Sequence, residues 1–202
     1  MSTIEIPCSI LLLAGGKGQR MGGKDKGLML FRGKPFIAHI HAVVRELTDD
    51  LIISCNRNQA LYATYSDRCV SDSVDGYPGP LAGVIAGLEQ ARHEWMLVLP
   101  CDAPLVDRAL VRAMLAHLGK GLGYPLMLRQ GSQWQPMFSL LPKALLPTLE
   151  AAWAAGERSL LRLLLAARAK GLPCSCQDLR LQNLNSPEVL LAAQSGAIET
   201  RP

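Results

Sequence analysis

Hydrophobic residues along the chain fall into two alternating patterns. Short continuous apolar runs recur at "SILLLA" (9–14), "DDLIISC" (49–55), "RCVS" (68–71) and "EWMLVLPCD" (94–102). They are continuous rather than alternating, as expected of strands buried on both faces. Between them lie stretches with apolar residues three and four apart: "PFIAHIHAVVREL" (35–47), "PLAGVIAGLEQARH" (80–93) and "DRALVRAMLAHL" (107–118). These read as helices, the first with Pro35 at the opening helical position and the third with Asp107 as N-cap. Such a β-α-β-α rhythm predicts a mostly parallel sheet flanked by helices on both faces, with ligands bound outside the carboxyl ends of the strands.

The second half changes pattern. "GYPLMLRQGSQWQPMFSLL" (123–141) reads as two extended segments around "RQGSQ", a small antiparallel hairpin. Helices are expected over "KALLPTLEAAWAA" (143–155) and "SLLRLLLAARAKG" (159–171), the second capped by Ser159 and stopped by Gly171. A short extended piece, "LRLQNLN" (179–185), precedes a last helix starting near Pro187 and a frayed tail.

With 202 residues and 49% hydrophobic content, the chain suits one compact domain spanning 1–202. A net charge of +4 without a basic cluster, and 5% aromatic residues, argue against nucleic acid as partner. The N-terminal "MSTIEIPCSILLLAGG" has no basic leader, and its apolar run is too short for a signal or a membrane span. Cys8, Cys55, Cys69, Cys101, Cys174 and Cys176 lack C-x-x-C spacing and read as small buried hydrophobes in a reducing compartment, hence a cytoplasmic protein. His39, His41, His93 and His117 are expected in helices without a ligand partner.

The chemistry concentrates after the first strand, in "ILLLAGGKGQRMGGKDKGLML" (10–30). Gly15, Gly16, Gly18, Gly22 and Gly23 stand among Lys17, Arg20, Lys24 and Lys26. A connector does not need both; a loop wrapping a triphosphate needs bare backbone amides and several cations. A dinucleotide fingerprint fails because Met21 stands where the third glycine belongs, and a Walker A loop fails because Asp25 replaces the Ser or Thr. Asp72 and Asp102 also follow strands, so topology gathers them with the loop at one sheet edge.

"LLLAGGKGQRMGGKDKGL", with "RGKPFIAH", "SDSVDGYPGPLAGVIAGL", "VLPCDAPLV" and "QNLNSPEVL" following in order, resembles the molybdenum cofactor guanylyltransferases, the MobA-type nucleotidyltransferases. The resemblance covers nearly the whole chain. It implies a Rossmann-like nucleotidyltransferase fold, with an N-terminal part that binds nucleotide and a C-terminal part that binds pterin. The implied reaction joins GTP to the phosphate of molybdopterin with release of pyrophosphate. The attacking phosphate is already an anion, so the work is to align two anions and neutralise the leaving group, with no general base needed. On this resemblance Arg20, Lys26 and Asp102 are catalytic and Asp102 holds Mg2+. The nucleotide contacts are Leu13, Ala14, Gly15, Gly16, Lys26, Asn56, Asp72, Gly83 and Asp102, with Asp72 suited to guanine N1–H and N2–H. Asn183 and Asn185 fall on the pterin side. Trp95, Trp134 and Trp153 read as packing residues, with Trp134, from its place in the hairpin, also able to line the pterin cleft. Cofactor-biosynthesis proteins and acceptor molybdoenzymes are the implied protein partners. Ser54 stands where the family often has Asn. Two other readings stay open: a related transferase using CTP or a sugar phosphate, and a non-catalytic nucleotide- or cofactor-binding chaperone.

Overall fold

The computed structural model describes residues 7–15, 25–71, 79–184 and 187–194. Its centre is a seven-stranded sheet in the order β5-β4-β1-β6-β8-β7-β9. The strands are β1 (Ser9–Leu13), β4 (Leu51–Ser54), β5 (Arg68–Val70), β6 (Trp95–Pro100), β7 (Leu126–Gln130), β8 (Gln133–Pro142) and β9 (Lys170–Cys174). The pairs β1–β4, β4–β5, β1–β6 and β7–β9 are parallel, while β6–β8 and β7–β8 are antiparallel. Within this sheet β8 alone therefore runs against the rest.

The expected hairpin is present as β7–β8, but it is no appendage. β8 pairs with β6 from Trp95↔Pro142 to Val98↔Ser139 and so extends the parallel sheet. A second, two-stranded sheet pairs β2 (Leu30–Phe31) with β3 (Lys34–Pro35). Its two turn residues, Arg32 and Gly33, both have positive φ, 49° and 79°, as the tightest hairpin turns require.

Each strand of the parallel half distributes its side chains to two cores. In β1, Ile10 and Leu12 meet Ile37, Ile40 and Val44 of α1 (Phe36–Val44) and Leu110, Val111 and Met114 of α4 (Arg108–Leu115). Leu11 and Leu13 face the other way, onto Leu81, Val84 and Leu88 of α3 (Pro80–Gln90), Leu149 of α5 (Leu146–Ala154) and Leu160 and Leu164 of α6 (Leu160–Ala166). Burial on both faces explains why β1, β4 and β6 read as unbroken apolar runs, whereas β5, expected to be buried too, is a half-buried edge strand. A satellite cluster of Phe31, Phe36, Leu184 and Ala193 seats α7 (Pro187–Gln194) against the small hairpin.

Several sequence expectations are corrected. Pro35 is not the first helical residue; it closes β3 and precedes α1 as N-cap. Gly171 does not stop α6, since it lies inside β9. The stop is Arg168, at φ 58°, with bonds from Arg168 N–H to Leu165 O at 3.0 Å and Ala169 N–H to Leu164 O at 2.9 Å. That is a Schellman closure with arginine in the glycine position. Gly171 serves a close approach instead, because a Cβ there would sit 3.1 Å from the Trp134 ring. Residues 179–181 form a short 3-10 helix rather than an extended piece. His93 lies before β6, outside any helix, and its Nε2 is 2.6 Å from Asp49 Oδ1. Among the cysteines, Cys8, Cys55 and Cys101 are buried, but Cys69 and Cys174 are half-buried and Cys176 is exposed.

Candidate active site

The chain order of the parallel strands reverses at β1. β4 and β5 are laid down on one side of it and β6 on the other. The crevice outside the carboxyl ends of β1 and β6 is therefore the topological switch point, where open α/β sheets bind ligands. Leu13 and Pro100 are register partners at that rim, and Cys101 N–H donates to Leu13 O at 3.0 Å. On the other side Ala14 N–H donates to Ser54 O at 2.8 Å. Leu13 and Ala14 are buried at the rim, whereas Gly15 is exposed and a Cβ on it would meet nothing within 4 Å. At Gly15 the chain thus leaves the sheet with its backbone open.

Lys26 and Asp102 meet at this rim although 76 positions separate them. Lys26 Nζ donates to Asp102 Oδ2 at 3.3 Å. Asp102 follows β6 in a turn and is 7% exposed. Lys26 opens a 3-10 turn, Lys26–Leu28, whose cap is the neighbouring Asp25. Asp25 is the most heavily tethered group at this edge. Its Oδ1 accepts from Gly27 N–H at 3.2 Å and from Tyr62 Oη at 2.5 Å. Its Oδ2 accepts from Asn58 Nδ2 at 2.9 Å and lies 3.5 Å from Arg57 Nε. Arg57, Asn58 and Tyr62 belong to the turn after β4 and to α2 (Gln59–Tyr62). Burial, then the nearby Cys101 and Asp25, push the Tyr62 phenol far up, so it remains a donor.

The segment 182–184 also arrives here. Leu184 N–H donates to Asp102 O at 2.8 Å, which brings half-buried Asn183 beside the acid. Arg180 fastens the same segment to the start of α4, bonding Asp178 at 2.7 Å and Asp107 at 3.3 Å. Asp107 is the N-cap of α4 as expected, accepting from Leu110 N–H at 2.7 Å.

Of the nucleotide residues read from the sequence, the fold gathers Leu13, Ala14, Gly15, Lys26 and Asp102. Asn56 lies in the turn beyond β4, on the same edge. Gly83 is buried in α3, where a Cβ would come within 2.6 Å of Ser54 Oγ and 3.0 Å of Leu13 Cδ2, so packing alone accounts for glycine there. Gly16, Lys17, Arg20, Asp72 and Asn185 lie outside the described residues. Trp134 packs on the core of α3, α5 and α6, against Gly171. Sequence reasoning missed Tyr62, Asn58 and Arg57 as partners of Asp25. Only Asn56 and Ser54 pointed to that neighbourhood, and a lone tyrosine offers no pattern.

The donor set bears on a metal. Among the described residues no group of three or more His, Cys, Asp or Glu could hold an ion. One nearly buried carboxylate at a strand end does fit Mg2+, which takes one or two carboxylates and completes its shell with phosphate oxygens and water. Cys101 next to it is no nucleophile, because burial and then Asp102 and Asp25 push its thiol well up.

A parallel sheet that gathers an exposed glycine, a lysine and an acid at its switch point is the architecture of nucleotide-handling α/β proteins. Within that class, the family model "MobA-like NTP transferase domain" matches residues 10–170, and the chain belongs to that family. A molybdenum cofactor guanylyltransferase from Pseudomonas putida is 62% identical over 184 residues, 91% of this chain and 96% of its own. Molybdopterin-guanine dinucleotide biosynthesis protein A from Archaeoglobus fulgidus superposes with a TM-score of 0.76 at 21% identity, over 94% of this chain and 98% of its own. 4-diphosphocytidyl-2C-methyl-D-erythritolsynthase from Anaerococcus prevotii superposes with a TM-score of 0.77 at 13% identity, over 98% and 99%. These two structures share the fold.

Proposed function

We propose that this chain is a molybdenum cofactor guanylyltransferase: it transfers GMP from GTP to the terminal phosphate of molybdopterin and releases pyrophosphate. The observation that carries the reading is the Lys26–Asp102 pair, 3.3 Å apart at the switch point, in a chain 62% identical to an enzyme of that name. A bond forms between a molybdopterin phosphate oxygen and the α-phosphorus. The bond from the α-phosphorus to the bridging oxygen of the leaving pyrophosphate breaks. No proton need be removed from the attacking phosphate.

Lys26 supplies positive charge at the α-phosphate once the nucleotide draws it from Asp102. Asp102 is the residue that holds Mg2+, which when bound offsets phosphate charge. The backbone of Gly15, open in the structure, and that of Gly16, with Lys17 and Arg20, grip the β- and γ-phosphates, the last three lying outside the described residues. Asp72 accepts from guanine N1–H and N2–H, which cytosine lacks. Asn183 and Asn185 contact the pterin; the bond from Leu184 to Asp102 makes the approach of the two substrates compact. The whole chain acts as one domain, and the cytoplasm is its compartment. No helix among the described residues is long and apolar enough to cross a membrane.

Pyrophosphate release from GTP, magnesium and molybdopterin tests the reading, with CTP and ATP in parallel and Asp102→Ala beside the wild type. Turnover with GTP, at least tenfold slower turnover with CTP, and a loss of about 10³-fold in Asp102→Ala are expected. Tight GTP binding without pyrophosphate release in the wild type would point to a chaperone instead. Asp72→Asn narrows the GTP preference; an unchanged preference removes that residue from base recognition.

A further inference from the structure

The catalytic reading uses Lys26 and Asp102 but leaves the most tethered carboxylate at this edge, Asp25, without a task. Asp25 is the residue immediately before Lys26, and its side chain is 6% exposed. Four donors converge on its two oxygens, and three of them, Arg57, Asn58 and Tyr62, come from one short stretch beyond β4. Tyr62 stands out among these. It is 0% exposed, fixed in the core with Ile37, Cys55 and Cys101, and cannot swing away as Arg57 and Asn58 can. Its hydroxyl also defines the space beside Gly27, where a Cβ would come within 2.4 Å of it. The phenol therefore clamps the residues on both sides of Lys26.

A lysine has four rotatable side-chain bonds, so its ammonium is placed only as well as its backbone is. Around Lys26 that backbone is a single 3-10 turn held by the Asp25 cap and by Met29 N–H to Lys26 O at 3.1 Å. A turn this short has no stability of its own and depends on its tether.

We propose that Tyr62 is a positioning residue of the active site: through its hydrogen bond to Asp25 it holds the Lys26 turn so that Nζ reaches the carboxylate of Asp102 and the phosphate that displaces it. This rests on the role given to Lys26 above. It adds that a buried tyrosine out of reach of substrate sets the rate, because a small misplacement of a charge-stabilising group is costly in the transition state and mild in the ground state.

Tyr62→Phe tests it, since the ring still fills the core and only the hydroxyl is lost. In the crystal structure of the variant, Lys26 Nζ is expected beyond 4 Å from Asp102; a pair still at 3.3 Å overturns the proposal whatever the enzyme catalyses. In turnover, kcat is expected to fall tenfold to a hundredfold, with the Kd for GTP within threefold and the melting temperature within about 3 °C. An unchanged kcat, or kcat, Kd and melting temperature all degraded together, overturns it. In a Lys26→Ala background the same substitution is expected to cost less than threefold, because Tyr62 acts through Lys26; a full additive loss overturns it. Failure of the wild type to turn over would sink the guanylyltransferase reading, and the crystal structure would still decide the role of Tyr62.

Discussion

The two edges of the parallel sheet use buried aspartates in opposite ways. At the amino edge Asp50 is 0% exposed and saturated. Ser9 Oγ donates to it at 2.6 Å, Arg92 N–H at 2.8 Å, and the Arg68 guanidinium is bonded to it. Ser9 Oγ in turn accepts from His93 N–H at 3.2 Å, so the starts of β1, β4, β5 and β6 are tied to one carboxylate. At the carboxyl edge Asp102 has comparable burial, and its described side-chain partner is one lysine at 3.3 Å. A saturated acid has nothing left to offer a ligand. An acid with one long-armed, half-buried partner can exchange it for a metal–phosphate group. Asp25 shows that both kinds of wiring can sit side by side: it is saturated like Asp50, and it serves Lys26, which is not.

The largest expected effect breaks this comparison outright. Asp50→Ala strips the counter-charge from Arg68 and leaves Ser9 Oγ and Arg92 N–H without their acceptor. Removing one partner of a buried pair costs about 3–5 kcal/mol. Asp102→Ala, by contrast, is expected to change unfolding free energy by less than about 1 kcal/mol, since it removes one partly exposed ion pair. Urea unfolding of both variants checks the pair. Equal losses at the two aspartates would mean that the edges are not specialised.

Gly83→Ala sharpens the same contrast at the carboxyl edge. A Cβ there would meet Ser54 Oγ at 2.6 Å and Leu13 Cδ2 at 3.0 Å. The Ser54 and Leu13 side chains must then give way, or α3 must shift from β1 and β4, at a cost of about 1–3 kcal/mol. Unfolding free energy and GTP affinity are measured together. Stability within 0.5 kcal/mol of wild type alongside a more than tenfold weaker affinity would return Gly83 to the nucleotide site and remove it from packing.

The legibility of the molecule follows from the same division. Strands β1, β4 and β6 were readable because burial on both faces leaves an unbroken apolar signal, β5 is a half-buried edge strand that followed from the rhythm around it, and Lys26 and Asp102 fall on one rim by topology alone. Ser159 and Asp107 cap their helices as read, because a cap is a local device. What sequence could not show were partnerships across long separations. Asp50 with Arg68 and Arg92, and Asp25 with Tyr62, join residues that carry no mutual pattern. The stop of α6 was misread for a related reason. Gly171 is the residue expected at a helix end, but Trp134, distant in sequence, claims it for close packing, and Arg168 takes the left-handed position. Strand β9 was missed because "KGLPC" is short, half-exposed and contains both glycine and proline.

A smaller effect probes the amino edge by pH. Asp67 precedes β5 and accepts from Leu51 N–H at 2.8 Å and from Arg45 at 3.0 and 3.1 Å. Burial opposes its charge but is outweighed by the Leu51 N–H, by Arg45 and by the field of Arg92, so the carboxyl is held below its ordinary value. A depressed folded pKa gives stability that is present above the unfolded value of about 3.9 and is lost as pH falls through the folded one. Asp67→Asn is therefore expected to lower stability near pH 7 by up to about 1 kcal/mol, because the pair is a third exposed. The difference should vanish near pH 2. A gap of the same size at both pH values would assign the loss to the amide substitution rather than to charge.

The smallest effect has the opposite sign. Arg168 sits just before β9, at the amino edge, and holds φ at 58° to close α6. An L-residue in that conformation is strained by about 1–2 kcal/mol, and glycine is not. Glycine costs part of that relief again, because its unfolded chain is freer by about 0.5–1 kcal/mol relative to alanine. The net gain expected for Arg168→Gly is a few tenths of a kcal/mol to about 1, or some 1–4 °C in melting temperature for a domain of this size. Arg168→Ala keeps the strain and is the control, expected to show no gain. The Schellman bonds from Arg168 to Leu165 and from Ala169 to Leu164 survive in both variants, since they are made by backbone alone. If alanine stabilises as much as glycine, the gain comes from removing a charge and not from relieving the backbone. The edge that holds the sheet together would then carry no conformational strain at this helix end.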